Sequence, residues 1–185
     1  DMDCVMDGGA YVTLSPVVLS RGAIHAGGPY RWPAARIRAR AVATNTPPNG
    51  AFRGFGAPQT QFAVECHMDR IAAELGLDPL ELRRRNAVKV GDVTPTGQTL
   101  RESVGAHECL DRTAKLSGYA ERRARYTREN AAAEKAERAG KVAFGTRGAN
   151  KSARRVRRGI GLALAYHGAG FTGSGETRLG SVAAL

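Results

Sequence analysis

Over residues 58–76 the apolar positions Val64, Met68, Ile71, Ala72 and Leu75 recur every three or four residues. That is the period of a helix with one buried face, so Met68 and its neighbour Cys66 read as core. Pro58 suits the first turn, where a missing N–H is no loss, and Gly76 supplies the stop. Asp78-Pro79-Leu80-Glu81 then gives an N-cap, a proline at the first helical position and a glutamate at the third. This capping-box arrangement predicts a second helix running to about Asn86. Upstream, Ser15-Pro16 opens a short helix over residues 17–26, with Val17, Val18, Ala23 and Ile24 apolar and Gly27-Gly28 ending it. Residues 5–12 read as a strand end broken at Gly8-Gly9. Residues 36–43 alternate polar and apolar, the pattern of a half-buried strand, with Arg36, Arg38 and Arg40 on one solvated side.

Further on, residues 103–116 are helical again, with Val104, Cys109, Leu110, Thr113 and Leu116 on one side and Gly118 as the stop. Residues 119–139 carry almost no large apolar side chains and read as a solvated helix. Residues 140–158 form a basic loop. Two apolar runs, 159–166 and 178–185, flank a glycine-rich turn and read as a hairpin. The expected fold class is α+β, short mixed strands with a central run of helices over residues 58–139.

Composition changes this picture in a few places. A chain of 185 residues suffices for one domain with a core. Yet it opens inside a strand-like run at Asp1-Met2-Asp3-Cys4-Val5 and stops on apolar Val182-Ala183-Ala184-Leu185, so it reads as an internal fragment or a truncated gene product. The net charge of +11, from 28 Lys+Arg against 17 Asp+Glu, is concentrated in residues 141–158. Lys151, Arg154, Arg155, Arg157 and Arg158 could engage phosphates, which makes a non-catalytic interaction module for nucleic acid or an acidic partner the competing function class. No interleaved aromatics or nucleic-acid-binding motif surround them, and a solvated loop or a patch facing another subunit is the stronger reading. Cys4, Cys66 and Cys109 are widely spaced and read as reduced core thiols of a cytoplasmic protein. No apolar run reaches the roughly 18–20 residues that span a bilayer. His25, His67, His107 and His167 are scattered, and none pairs with Cys or a carboxylate at metal-ligand spacing.

The candidate chemistry sits in Pro47-Pro48-Asn49-Gly50-Ala51-Phe52-Arg53-Gly54-Phe55-Gly56-Ala57-Pro58. Gly54 and Gly56 remove Cβ on both sides of Phe55, so a ligand can approach the backbone closely. The last N–H groups of the loop meet the positive end of a helix dipole beside a guanidinium, which suits an anionic or electron-rich ligand. A plain Gly/Pro turn with Arg53 solvated explains the same residues from composition alone. Arg21 and His25 are four apart on one helix face, and a solvated or capping role is the plainer reading for each. Gly168 to Gly173 fits GxGxxG formally but opens no helix, so a hairpin turn is the better reading.

The string PNGAFRGFGAPQ, followed by QTQFAVECHMDRIAAELGLDPLELRRRN, closely resembles the molybdopterin-binding large subunit of the xanthine dehydrogenase/aldehyde oxidase family of molybdenum hydroxylases. The likeness is most specific over residues 50–86, good over 9–30 and weak over 119–158. It implies a molybdenum–molybdopterin cofactor, the cytosine dinucleotide form among its variants, whose pterin rather than the protein ligates the metal. It also implies 2Fe–2S clusters and FAD on partner subunits or domains, together with the remainder of the large subunit. The reaction implied is hydroxylation of a planar N-heterocycle or an aldehyde. By position, Phe52, Arg53 and Gly54 match backbone contacts to the cofactor, and Phe55 matches the aromatic packed on the substrate ring. Arg21 matches an arginine that stabilises charge developing on the substrate, so Arg21 and Arg53 are the catalytic candidates and Arg21 with Phe55 the substrate-binding ones. Residues 1–140 would then be part of a first molybdopterin-binding lobe, 141–158 a linker, and 159–185 the start of a strand pair of the second. Neither the glycine/glutamine loop that cradles the pterin nor the C-terminal glutamate base of the family is present, and Glu176 does not match that base. The chain alone is therefore expected to be inactive.

Overall fold

The computed structural model describes residues 1–139 and 156–168. Seven elements follow in order: β1 (Met2–Gly9), α1 (Ser15–His25), β2 (Ile37–Ala43), α2 (Ala57–Glu74), α3 (Pro79–Asn86), α4 (Ala106–Ser117) and α5 (Tyr119–Arg138). Helices and short strands mix as the patterning predicts. The second strand of the expected hairpin, its glycine-rich turn after Gly168, Glu176 and most of the basic run lie outside the described residues.

The chain divides into two units, Asp1–His107 with Ala163–Leu185, and Glu108–Leu162. In the first, β1 and β2 pair in parallel, with Met2 opposite Ile37 and Asp7 opposite Val42. A parallel pair needs a crossover, and α1 supplies it. Arg36 and Arg40 on the solvated edge pair with Asp1 and Asp3. Asp7 ends the strand by accepting from Thr44 Oγ1 and the Gly9 N–H, and these bonds hold its carboxyl below the ordinary carboxylate range. Asn49 donates to the Asp7 carbonyl at 3.1 Å, so the start of the Phe52 loop is tied to β1.

Helix α2 departs from its apolar pattern at both ends. Val64, Met68 and Ala72 are buried as expected, but Leu75 is 62% exposed. The buried stripe instead continues toward the N-terminus through Ala57, Thr60, Gln61 and Glu65. The helix stops as foreseen: Gly76 lies at φ 63° and the Leu77 N–H reaches the Ala72 carbonyl at 2.8 Å. Asp78 caps α3 through the Leu80 N–H at 2.9 Å. The cysteines correct the expectation of core thiols, since Cys66 and Cys109 are exposed and Cys4 is half-buried. Both exposed thiols fall one position off the buried stripe of their helices.

In the second unit α4 begins at Ala106 rather than 103, and buries Leu110 and Ala114 rather than Cys109 and Leu116. Helix α5 is solvated as expected and carries i,i+4 pairs such as Arg125 with Glu129 and Arg138 with Glu134. The described end of the basic run is neutralised there. Arg157 meets Glu137 at 2.9 Å and Arg158 meets Glu129 at 3.2 Å.

Where α1 crosses the start of α2, backbone meets backbone. Gly56 lies at φ 107°, and a Cβ there would stand 2.1 Å from the Val18 carbonyl oxygen. A Cβ on Gly22 would stand 2.6 Å from Met6 Cε and 3.3 Å from the Gly56 oxygen. Thr60 Oγ1 donates to the Gly22 carbonyl at 3.0 Å and locks the crossing. Gly56→Ala adds backbone strain and overpacking together, so we expect a loss of about 1–3 kcal/mol, read as a lower urea midpoint with unchanged slope.

Candidate functional site

The loop that joins β2 to α2 turns through three successive left-handed residues, Gly54 (φ 91°), Phe55 (φ 57°) and Gly56 (φ 107°). For a bulky residue such as Phe55 this conformation is strained, and strain of this kind concentrates at ligand clamps. The Phe55 N–H donates to the Phe52 carbonyl at 2.8 Å and the Ala57 N–H to the Gly54 carbonyl at 3.2 Å. Two of the N–H groups expected to face a ligand are therefore used inside the turn. Phe55 is half-buried, whereas Phe52 is 85% exposed and Arg53 is also exposed. The open cleft alongside, about 520 Å³, is lined by Ala57, Pro58, Gln61, Phe62 and residues of the 163–168 segment, and takes in none of Phe52, Arg53 and Phe55. In this chain Arg53 thus lies on the surface, and these residues alone do not enclose it.

Arg21 behaves differently from the plain reading. It is buried at 7% exposure on α1, with His25 at 1%, so neither is a solvated or capping side chain. Both point at an extended segment, residues 163–168, that the sequence offered only as one strand of a hairpin. Among the described residues no backbone ladder holds this segment. Side chains do so instead, at alternate residues along one edge. The Leu164 N–H donates to Glu65 Oε2 at 2.9 Å, and the Tyr166 N–H to Gln61 Oε1 at 2.8 Å. The Gly168 N–H donates to His25 Nε2 at 2.9 Å. In return Gln61 Nε2 donates to the Tyr166 carbonyl at 2.7 Å and Arg21 Nη1 to the Gly168 carbonyl at 3.1 Å. Four side chains in two i,i+4 pairs, Glu65 with Gln61 and His25 with Arg21, stand in for a neighbouring strand.

The Glu65 end of this ladder is anchored in a buried ionic network. Tyr30 donates to Glu65 Oε1, and Arg83 Nε donates to Oε2 at 2.8 Å. Arg83 is fully buried and also reaches Asp69 at 2.7 Å and the Glu65 carbonyl at 3.1 Å. Burial, reinforced by the bond to Glu65, pushes the Tyr30 hydroxyl well above its ordinary range, so it remains a donor.

At the other end, the tautomer of His25 follows from its partners. A backbone N–H can only donate, so Nε2 accepts, and the proton sits on Nδ1, which donates to the Arg21 carbonyl at 2.8 Å. Tyr166 and His167 pack on the same ring, each with centroids 5.1 Å away. His167 Nε2 also lies 3.2 Å from the Gly54 carbonyl, which ties the segment to the Phe55 loop. Burial lowers the His25 pKa below its ordinary 6.5, and the nearby His167 and Arg21 lower it further against the bond to the Arg21 carbonyl. A depressed folded value means that stability is complete above the unfolded pKa and is lost as pH falls through the folded one. Thermal melts should therefore fall off on acidification below about pH 6.5 more steeply for this chain than for His25→Phe.

The structure thus packs the Arg21 helix against the Phe55 loop at Gly22 and Gly56, and gathers Arg21, His25, Gln61 and Glu65 on the 163–168 segment, of which sequence reading had singled out Arg21 as a site residue. The only advance signal for the other three was the pair of i,i+4 spacings. Among the described residues no group of three or more His, Cys, Asp or Glu could hold a metal ion, and no helix is long and apolar enough to cross a membrane.

Comparison with known proteins follows the same region. A family model described as molybdopterin cofactor-binding domain matches residues 1–87. The chain is 45% identical over 115 residues to a probable xanthine dehydrogenase subunit of Bacillus subtilis (strain 168), covering 62% of this chain and 15% of that protein. It is 45% identical over 106 residues to the nicotinate dehydrogenase large molybdopterin subunit of Eubacterium barkeri, covering 57% of this chain and 25% of that one. Among solved structures it is similar to the aldehyde oxidoreductase from Desulfovibrio gigas, with 42% identity and a TM-score of 0.58 over 64% of this chain and 13% of that one. Quinoline 2-oxidoreductase from Pseudomonas putida 86 gives 34% identity and a TM-score of 0.61 over 70% of this chain and 17% of that one. The chain spans between 15% and 25% of the length of the two curated relatives.

Proposed function

We propose that this chain, whose residues 1–87 match the model of the molybdopterin cofactor-binding domain, belongs to that family and supplies cofactor and substrate contacts of a molybdenum hydroxylase acting on a planar N-heterocycle or an aldehyde. The observation that carries the reading is the joining of the strained Phe55 turn to the Arg21 helix, backbone on backbone at Gly22 and Gly56. The residues present fit the cofactor. The glycines on either side of Phe55 pack against the protein itself, since a Cβ on Gly54 would stand 2.5 Å from Pro58 Cγ and one on Gly56 2.1 Å from the Val18 carbonyl oxygen, which leaves the exposed backbone at Phe52 and Arg53 as the side a flat group can approach.

In this reading the bound molybdenum–molybdopterin supplies the two-electron oxidation of the substrate carbon. The backbone of Phe52, Arg53 and Gly54 meets the cofactor on the outer, exposed side of the loop. Phe55 packs against the substrate ring; such aromatic contact contributes about 0.5–1.5 kcal/mol beyond area burial. Arg21, buried and held by the Gly168 carbonyl, offers a fixed cation where negative charge develops on the substrate. The remainder of a large subunit and carriers of 2Fe–2S and FAD complete the electron path. A heterocycle suits Arg21 better than an aldehyde, because deprotonated ring nitrogens and exocyclic oxygens are bidentate partners for a guanidinium. Residues 1–140 form part of a first cofactor-binding lobe in this proposal.

The test is the metal and pterin content of the polypeptide bearing this sequence, purified from its own host. We expect molybdenum and pterin in near-equal amounts to protein. Protein that is folded and pure yet free of both contradicts the proposal.

A further inference from the structure

The ladder that holds residues 163–168 has one rung unlike the others. Leu164 and Tyr166 give their N–H groups to oxygens, of Glu65 and Gln61, whereas Gly168 gives its N–H to a histidine nitrogen. The carbonyl of the same residue lies against Arg21, whose Nη1 donates to it at 3.1 Å. One glycine is therefore gripped from both sides by residues four apart on α1. We propose that His25 is a positioning residue for Arg21: as the neutral Nδ1–H tautomer it fixes Gly168, and Gly168 fixes the guanidinium. The catalytic consequence rests on the function proposed above; the positioning itself does not.

The chemistry of the ring makes this grip conditional on its protonation state. A proton on Nε2 would face the Gly168 N–H, donor against donor, and the rung would open. Arg21 would then lose the carbonyl that holds Nη1. The titratable and charged groups facing the ring are Arg21 on α1 and Tyr166 and His167 on the segment. The charged member of the ladder on α2, Glu65, is occupied by Tyr30 and Arg83. The grip also fits the space available. A Cβ at Gly168 would stand 3.6 Å from both Arg21 Nη1 and His25 Nε2, so the three groups are in ordinary contact without strain.

Hydrogen exchange resolved to single amides in the whole polypeptide tests this, with Leu164 and Tyr166 as internal controls. In the unmodified protein, after correction for intrinsic rates, Gly168 should lose protection by about tenfold as pH falls through the His25 titration, while Leu164 and Tyr166 keep theirs. In His25→Phe, which keeps the ring against Tyr166 and His167, Gly168 should be unprotected at every pH. In His25→Gln, whose side-chain oxygen can accept, protection should return without the pH dependence. A Gly168 amide whose protection is independent of pH in the unmodified protein overturns the proposal without recourse to any variant. So does equal protection in His25→Phe. Turnover separates the two readings: His25→Phe should lower kcat at unchanged molybdenum content and little changed KM. A protein lacking molybdenum but showing the Gly168 behaviour would sink the function and leave the positioning intact.

Discussion

Replacing Arg83 by methionine should cost about 3–5 kcal/mol of stability, the largest single-substitution loss expected for this fold, measured by urea unfolding. Arg83 is buried completely, and its three nitrogens are spent on Glu65 Oε2, the Glu65 carbonyl, Asp69 and the Pro79 carbonyl. Without it the carboxylate of Glu65, itself only 8% exposed, keeps the Tyr30 hydroxyl and the Leu164 N–H but loses its countercharge. The cost is that of an uncompensated buried charge rather than the net contribution of the pair. A double variant, Arg83→Met with Glu65→Gln, should accordingly recover a large part of the loss, since Gln retains an acceptor and carries no charge. A single variant within about 0.5 kcal/mol of the parent would show that the network is solvated in solution, contrary to the packing described. The loss should also reach the ladder, with Leu164 exchanging faster in Arg83→Met.

Arg21→Met should lower kcat/KM by about 10²–10³-fold, or about 2.7–4 kcal/mol of barrier, with molybdenum and pterin content unchanged. A preorganised cation aimed at developing charge acts in the transition state, so the loss should fall on kcat rather than on KM. The bond from Nη1 to Gly168 offers a competing, purely structural role, and Arg21→Lys separates them. Lysine keeps the charge but not the planar fork. If charge near the substrate matters, Lys should retain more activity than Met. If Arg21 only props the 163–168 segment, Met and Lys should lower stability alike and leave turnover nearly intact.

Much of the scaffold was legible in the sequence because it rests on local rules. Pro58 and Gly76 bound α2, Asp78 caps α3 and Gly118 separates α4 from α5, each as its backbone chemistry dictates. The site was less legible for a reason visible in α2 itself. Hydrophobic periodicity marks Val64 and Met68, but the residues that build the ladder, Gln61 and Glu65, are buried polar groups on that same face. Their burial is stable only because residues almost 100 positions later supply N–H partners, as between Glu65 and Leu164. The same blindness applied to Arg21 and His25, which look solvated until Gly168 is placed against them. Conversely, Leu75, Leu116, Cys66 and Cys109 looked buried and are not, because a step of one residue, about 100° around the helix, decides which side of the stripe a side chain falls on. Arg53 marks the limit of the local argument. Its loop is shaped as the glycines imply, but these residues leave its side chain on the surface.

The most direct test is diffraction from the cofactor-loaded protein at the molybdenum absorption edge. The expected result is a metal peak on the outer side of the Phe52, Arg53 and Gly54 backbone, with the Phe55 ring and the Arg21 guanidinium turned toward the same space. A peak remote from that loop, with Arg53 in bulk water and no cavity beside Phe52 and Phe55, would contradict it.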